Sequence, residues 1–511
     1  MSSGAATYDL GNLHGGLRLD DEKAASTAVA VQVLPIPQQL ILPIQQHVGE
    51  PAHPIVGIGE HVLKGQLIAE ADGSLSAPVH ASSSGKVLAI EPWPVSRRRG
   101  DSAPCIVIEC DGEDQAIVPV DAPAPFNTLT PDALRQQILA GGIVGLGGAV
   151  FPTGQKLMQA ATMPLEHLIL NGVECEPYIS CDDLLMREQA AEVLGGAQIL
   201  MHALNVTGCF VVIESDKPEA IAAIGEAMAT LDDARITLKQ IPTIYPSGGE
   251  DQLVQLVTNR EVPSGGLPTD VGCVVHNVGT AAAIYRWICD GEPLISRITT
   301  VSGPGVATPM NVVARIGTTV GDIIASAGGY TDQAVQLIIG GPMCGKSVTT
   351  DDVPLVKATN CILVLNQTRP IGAEQPCIRC GECATVCPIQ LLPQQLFWHA
   401  SADNEDKLRA HGLTDCIECG CCDLVCPSHI PLTASFRNAK ARIQELADEK
   451  ARAERARIRF ESRNERIENE KRQREAELAE QKQSALSAGS AAIADILERQ
   501  KRKHDDQEGD E

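Results

Sequence analysis

Eight of the chain's eighteen cysteines fall in two short runs. The first is Cys377, Cys380, Cys383 and Cys387 followed by Pro388; the second is Cys416, Cys419, Cys422 and Cys426 followed by Pro427. Both read C-x2-C-x2-C-x3-C-P, a spacing that suits paired iron–sulfur cubanes. Three closely spaced thiolates of one run grip three irons of a cube, and the fourth, at the head of a helix, reaches the other cube. The spacing therefore predicts one [4Fe–4S] cluster on Cys377, Cys380, Cys383 and Cys426, and a second on Cys416, Cys419, Cys422 and Cys387. Structural zinc is the competing chemistry, but zinc sites seldom use two four-cysteine runs that each end in Cys-Pro. Cys421 is off the spacing and reads as a non-ligand. The scattered Cys105, Cys110, Cys209, Cys273, Cys289, Cys344 and Cys361 read as small buried apolar groups.

A second group of residues has the types needed to hold an anionic cofactor. The loop "GLGGAVFPTGQKL" at 145–157 is rich in glycine and ends in a lysine. It is neither a dinucleotide fingerprint, which would need glycine at Val150, nor a P-loop, because Gln155 separates Gly154 from Lys156. A helix opening at about 153 would leave backbone N–H groups near Gly147 and Gly148 free to meet an anion. Three further polar stretches follow: Asn171, Glu174, Glu176 and Pro177; then Tyr245, Gly248, Gly249 and Glu250; then Asn277 and Thr280. Each follows an apolar strand pattern, so all four loops are expected at strand exits facing one cleft.

The elements that must position these groups alternate between helix and strand from about 123 to 290. Thr130 caps a helix with Pro131 at its first position, Leu134, Ile138 and Leu139 share a face, and Gly141-Gly142 ends it. "EHLIL" and "GCFVVIES" read as buried strands, and Pro218 opens another helix. This alternation predicts a Rossmann-like α/β domain with a mainly parallel sheet, its ligand at the carboxyl ends of the strands. Upstream, residues 1–40 read as an N-terminal extension. Residues 41–122 alternate short apolar pairs with Gly, Pro and Ser, as in a biotinyl/lipoyl-like β barrel. Its turn Ala71-Asp72-Gly73-Ser74 lacks the lysine on which such barrels carry a cofactor. Residues 291–370 read as a small α+β module. Residues 371–435 form a two-cluster, ferredoxin-like α-helical domain. Residues 436–511 form a charged helical tail, with Asp448/Arg452, Glu468/Arg472 and Glu470/Arg474 at i,i+4 and a disordered acidic end. The expected fold class is thus multidomain α/β plus α+β.

The formal net charge is −24, and the 18 Lys/Arg from Ser435 onward are matched by 18 Asp/Glu, so the whole excess lies upstream. Such a body repels phosphate backbones, which argues against nucleic-acid binding. No run of about 18 apolar residues is present, so no spanning helix is expected. Nor is there a signal peptide or lipidation motif. A cytosolic address, with membrane contact only through partners, is the expectation, and in a reducing compartment clustered cysteines bind metal.

With those residues in place, a resemblance becomes specific. Gly145-x-Gly147-Gly148-Ala149-x-Phe151-Pro152-Thr153-Gly154-x-Lys156, followed by Asn171-x-x-Glu174-x-Glu176-Pro177, resembles the flavin- and NADH-binding subunit of respiratory complex I. From about residue 14 to 435 the order of modules is similar to that of the RnfC (RsxC) family of Rnf (Rsx) electron-transport complexes. The resemblance makes 291–370 a β-grasp module of the soluble-ligand-binding type. It implies non-covalent FMN across the glycine loop, with Gly145 and Gly147 letting the ring approach backbone. Lys156 and Asn171 would hold polar edges of the flavin, and Asn277 and Thr280 its phosphate. Glu174 and Glu250 would lie around the nicotinamide and ribose of NADH. Glu176, Tyr245 and Gly248 fall in the same loops. Four positions depart from the complex I pattern: Leu146 replaces an arginine, Val173 an aspartate, Gly249 a glutamate and His276 an asparagine.

The resemblance implies a peripheral electron-input subunit on the cytoplasmic face of a bacterial inner membrane. There it would work with other Rnf subunits and with ferredoxin or a similar low-potential acceptor, in a complex that couples electron transfer to Na⁺ or H⁺ movement. Two alternatives differ in class. One is an iron–sulfur wiring or docking module whose flavin site has degenerated at Leu146, Val173 and Gly249. The other is a biotin- or lipoyl-carrying enzyme, disfavoured by the missing lysine.

Overall fold

The computed structural model describes residues 13–96, 101–117, 125–368 and 372–505. The chain divides into two compact units, Met1–Arg437 and Asn438–Glu511. The second unit is the greater part of one long helix, Leu432–Asp505, and is lined by exposed ion pairs such as Arg472–Glu468 and Arg457–Glu461. The expected acidic end, residues 506–511, lies outside the described residues. No helix among the described residues is long and apolar enough to cross a membrane.

Near its start the first unit carries two small antiparallel sheets. One has the strand order Gln39–Pro43, Ser102–Cys110, Gly85–Pro94, His61–Val62; the other is His53–Pro54, Leu67–Glu70, Val79–His80. Leu40, Leu42, Val62, Ile68, Val87, Ile106 and Ile108, from both sheets, are wholly buried in one apolar cluster. The short strands broken by Gly, Pro and Ser match the all-β reading of this segment. The turn Ala71–Ser74 is exposed.

The α/β part carries a four-stranded parallel sheet in the order Ile236–Ile241, Gly208–Glu214, His167–Gly172, Cys273–Asn277. The chain moves outward from His167–Gly172, then returns to its other side, so the sheet reverses direction between His167–Gly172 and Cys273–Asn277. The crevice above that reversal is where open α/β sheets bind ligands. Thr130 caps Pro131–Ala140 by accepting from the Ala133 N–H at 3.3 Å, and Pro218 opens Pro218–Leu231. The helix Ala190–Leu204 lies so close to Val278–Tyr285 that a Cβ on Gly196 would meet the Ala281 carbonyl oxygen at 2.0 Å. That contact fixes the helix that begins right after Asn277.

A six-stranded mixed sheet follows, in the order Gln32–Val33, Met310–Arg315, Ser296–Ser302, Cys361–Leu365, Gln336–Ile339, Lys346–Val348, with the helix Val320–Ser326 beside it. Its first strand comes from the segment expected to be an N-terminal extension. Gln32 and Val33 pair in parallel with Val312 and Val313. Further upstream, Leu17 and Tyr245 exchange backbone hydrogen bonds at 2.7 and 2.8 Å, and the Gly16 N–H donates to the Val386 carbonyl at 3.0 Å. Residues 13–40 are therefore a strap woven through three modules, not an appendage. The interior strengthens this. Ser26 Oγ lies 2.8 Å from Ser180 Oγ, Asn311 Nδ2 donates to both the Ser26 carbonyl and Ser180 Oγ, and Thr300 Oγ1 donates to Asn311 Oδ1 at 2.7 Å. A buried polar network of this kind stabilises only when its members are all partnered.

Candidate functional site

The glycine loop is held open by backbone and by one buried hydroxyl. Gly145 N–H donates to the Phe151 carbonyl at 2.9 Å and Val150 N–H to the Gly145 carbonyl at 3.1 Å. Val150 adopts φ 45°, a left-handed conformation costly for a β-branched residue and tolerated where surrounding structure dictates it. Thr280, fully buried, accepts a hydrogen bond from the Leu146 N–H at 2.9 Å. The loop then runs into the helix Thr153–Ala160, which carries Lys156.

Three strand-exit loops, after His167–Gly172, Ile236–Ile241 and Cys273–Asn277, meet the glycine loop at one cleft of about 1480 Å³, counted out to its open mouth. The glycine loop, expected at a strand exit as well, instead joins the helices Pro131–Ala140 and Thr153–Ala160. Gly145, Gly147, Lys156, Asn171, Glu174, Glu176, Tyr245, Gly248, Glu250 and Asn277 all line it. Lys156 Nζ donates to Glu250 Oε1 at 2.7 Å and to the Val275 carbonyl at 2.8 Å. Asn171 Nδ2 donates to the Gly248 carbonyl at 2.9 Å, tying two loops together. Asn277 caps its helix by accepting from the Gly279 N–H at 2.8 Å while its amide donates to Asp182 at 2.6 Å. Glu174 accepts from the backbone N–H groups of Asp182 and Asp183 at 2.7 and 3.1 Å, at the start of the helix Cys181–Glu188. Glu176 accepts from the N–H groups of Met343 and Cys344 at 2.7 and 2.8 Å, so it joins the cleft to the six-stranded sheet module.

Two of the expected residues sit elsewhere. Thr280 does not line the cleft; its hydroxyl is committed to the glycine loop. Gly148, with φ 106° and nothing within 4 Å of an added Cβ, faces a neighbouring hollow shared with Gln46, His47 and Lys346. Cys344, expected as a buried apolar group, is exposed and lines the cleft, and Cys110 and Cys289 are only partly buried. Of the four departures from the complex I pattern, Gly249 and His276 line the cleft and Leu146 and Val173 do not. Leu146 and Val173 are buried in apolar cores at 6% and 0% exposure and neither lines the cleft. At Gly249 a Cβ would meet Gln252 Oε1 at 2.2 Å.

Sequence reasoning missed several lining residues. Asp182 lies beside Glu174, and burial first, then that neighbouring charge, raises its carboxyl to about 7. Its place directly after the Asn171–Pro177 loop was the available signal. Burial, reinforced by Lys156, holds His276 well below the usual histidine range, so it is neutral. His276 Nε2 and Thr153 Oγ1, both buried and both on cleft-lining residues, have no partner among the described residues. Unpartnered buried polar atoms are costly unless a ligand completes them, and together with bare glycine backbone and Lys156 they suit a polar, anionic cofactor such as FMN.

The cysteines sort as their spacing suggests. Cys377, Cys380, Cys383 and Cys426 line one cavity, while Cys387, Cys416, Cys419 and Cys422 line another. The first brings four thiols, the second brings five counting Cys421, and neither brings a histidine, a donor set that suits a [4Fe–4S] cube. Cys421 is buried in an apolar cluster with Tyr245 and Val386, although it also borders the second cavity. Cys419 belongs to both the second cavity and the large cleft. Tyr245 stands between them, its hydroxyl donating to the Cys419 carbonyl at 2.6 Å.

Four family models match the chain: an RnfC barrel sandwich hybrid domain over residues 11–113, a Nuo51 FMN-binding domain over 138–286, an SLBB domain over 298–347 and a 4Fe-4S dicluster domain over 376–430. The C subunit of the ion-translocating oxidoreductase complex of Pseudomonas aeruginosa PAO1 is 48% identical over 466 residues, covering 91% of this chain and 60% of the relative. The protein of the same name from Haemophilus influenzae 86-028NP is 42% identical over 466 residues, covering 90% of this chain and 69% of the relative. The chain thus spans roughly three fifths to two thirds of these relatives' length. A chain of an NAD⁺-reducing [NiFe]-hydrogenase in the H2-reduced state overlays with a TM-score of 0.43 at 20% identity, over 62% of this chain and 61% of that one, which is too distant to argue from. On identity, coverage and the barrel match, the chain belongs to the RnfC family, the C subunits of ion-translocating oxidoreductase complexes.

Proposed function

We propose that this chain is the electron-input subunit of such a complex, binding FMN in the glycine-loop cleft and one [4Fe–4S] cluster in each cysteine cavity. A bound flavin accepts a hydride from NADH and releases its two electrons singly, chemistry that belongs to the cofactor. The chain supplies position and charge. The glycine loop offers bare backbone to the ring, Lys156 and Asn171 hold its polar edges, and Asn277 sits at the phosphate end. Glu174 and Glu250 would lie around the nicotinamide and its ribose, and Glu176 in the same loop ties the cleft to Met343 and Cys344. Thr280 acts one step back, by shaping the loop.

The observation that carries this reading is Cys419, which borders both the cleft and the second cavity. Cys387, Cys416, Cys419 and Cys422 would hold the cluster nearer the cleft, and Cys377, Cys380, Cys383 and Cys426 the one beyond it, so electrons would leave the cleft through them in that order. From there they pass to other subunits and to ferredoxin or a similar low-potential acceptor. We read the chain as peripheral, on the cytoplasmic face of the inner membrane and attached through those partners. The modules we assign are a biotinyl/lipoyl-like barrel, a Rossmann-like flavin domain, a β-grasp module and a ferredoxin-like cluster domain. Flavin and iron analysis of the purified chain, followed by anaerobic NADH addition, tests the reading. We expect one FMN, about eight irons and bleaching of the oxidised flavin band. Eight irons without flavin would favour the wiring-module alternative, and a flavin band that NADH leaves intact would reject NADH as donor.

A further inference from the structure

Tyr245 is placed where no simple ligand-binding role accounts for it. It lines the cleft, yet it is 4% exposed, and its hydroxyl is committed to protein groups. That hydroxyl donates to the Cys419 carbonyl at 2.6 Å and lies 3.2 Å from Cys344 Sγ. The backbone of Tyr245 is pinned on its other side by Leu17 of the strap, and its ring packs with Val386 and Cys421. Val386 and Cys421 belong to different cysteine runs. The ring therefore shares an apolar cluster with residues of both runs, while the hydroxyl grips the backbone of a residue expected to ligate a cluster.

Two consequences follow from elementary electrostatics. A neutral donor close to a ligand's backbone places the positive end of an O–H dipole beside a group that becomes more negative on reduction. Hydrogen bonding around a cluster is one of the levers that set its potential. The same bond also holds the Cys416–Cys422 loop against the cleft, and so fixes the gap an electron crosses. We propose that Tyr245 is a positioning residue for electron transfer: through its hydroxyl it docks the second cysteine loop on the flavin cleft and raises the reduction potential of the cluster on Cys387, Cys416, Cys419 and Cys422. This rests on the functional reading above.

The substitution Tyr245→Phe keeps the ring and removes only the hydroxyl. In full-length protein with native flavin and iron, an EPR-monitored redox titration should show the potential of one cluster moving to more negative values. The other cluster should stay unchanged. One net hydrogen bond corresponds to about a fivefold change in electron affinity, a shift of about 40 mV for a single electron. Transfer from reduced flavin to that cluster, followed by stopped flow, should slow. A second measurement does not depend on how the variant folds. Global replacement of tyrosine by 3-fluorotyrosine, whose phenol is a stronger donor, should shift the same cluster in the opposite direction, and Tyr245→Phe should abolish that shift. Full loading with potentials and transfer rate equal to those of the unmodified protein would overturn the role of Tyr245 alone, as would a fluorotyrosine shift that persists in Tyr245→Phe. An unmodified protein without flavin or without the second cluster would overturn the functional reading and this inference with it.

Discussion

Replacing Thr280 by valine probes the part of the cleft that touches no ligand. Thr280 is fully buried and accepts the Leu146 N–H at 2.9 Å. Valine preserves the shape and removes the acceptor, so an N–H beneath the glycine loop loses its hydroxyl partner within a packed core. Leaving a buried donor unsatisfied costs about 1–3 kcal/mol. That cost must appear somewhere in the cycle of folding and flavin binding. If the free loop stays as it is, the whole amount is lost from stability. If the free loop relaxes to let water reach Leu146, flavin binding must restore the strained form and affinity falls instead, by up to about 150-fold at 1.4 kcal/mol per factor of ten. Urea unfolding of the apoprotein and FMN titration by fluorescence quenching measure the two parts, and their sum should be about 1–3 kcal/mol. Thr280→Ser, which keeps the oxygen, should recover most of it. A sum near zero for Thr280→Val, or a serine variant as defective as the valine one, would refute the assignment of Thr280 to the loop.

Three further outcomes follow from the same geometry. Cys426→Ser should abolish the same EPR signal as Cys383→Ser, and Cys387→Ser the same one as Cys419→Ser; a pairing by run instead of by cavity would contradict the lining of the two cavities. Asp182, raised to about 7 by burial and by Glu174, holds its proton more tightly when folded than when unfolded, so it favours the folded state at low pH. Its contribution is lost as pH rises from about 4 through about 7, and Asp182→Asn should flatten the apoprotein's urea midpoint across that range. Asn311→Leu leaves Ser26, Ser180 and Thr300 each short of a hydrogen bond and should lower stability by about 2–4 kcal/mol, read as a drop in the thermal midpoint.

What could be read in advance divides along physical lines. The cysteine runs were legible because their spacing is fixed and local, and the cavities place Cys426 with the first run and Cys387 with the second. The helix opened by Thr130 and Pro131 was legible for the same reason: caps act within one turn. The convergence of three loops was legible because parallel sheets put their strand exits on one side, whereas the glycine loop, read as a fourth strand exit, joins two helices. The strap was not. Gln32–Val33 is two residues long with both side chains exposed, so it has no periodicity to betray it, and its partners lie far away in the chain. Thr280 illustrates a different limit, since resemblance placed it at a cofactor while its hydroxyl serves backbone. The substitutions at Leu146 and Val173 looked like damage to a polar site because sequence cannot tell which way a side chain faces; both face apolar cores.

The strap also bears on the order in which this protein can be made. Gly16 and Leu17 leave the ribosome long before residue 386, yet Gly16 bonds to Val386 and Leu17 to Tyr245. Leu17 must wait until Tyr245 has emerged, and Gly16 until the first cysteine run has. Such distant pairings close slowly, and the segment that waits ends beside the very loops that must receive iron. Assembly of the clusters and threading of the strap are thereby coupled in time. A fusion or truncation that delays the first should be felt as a fault in the second.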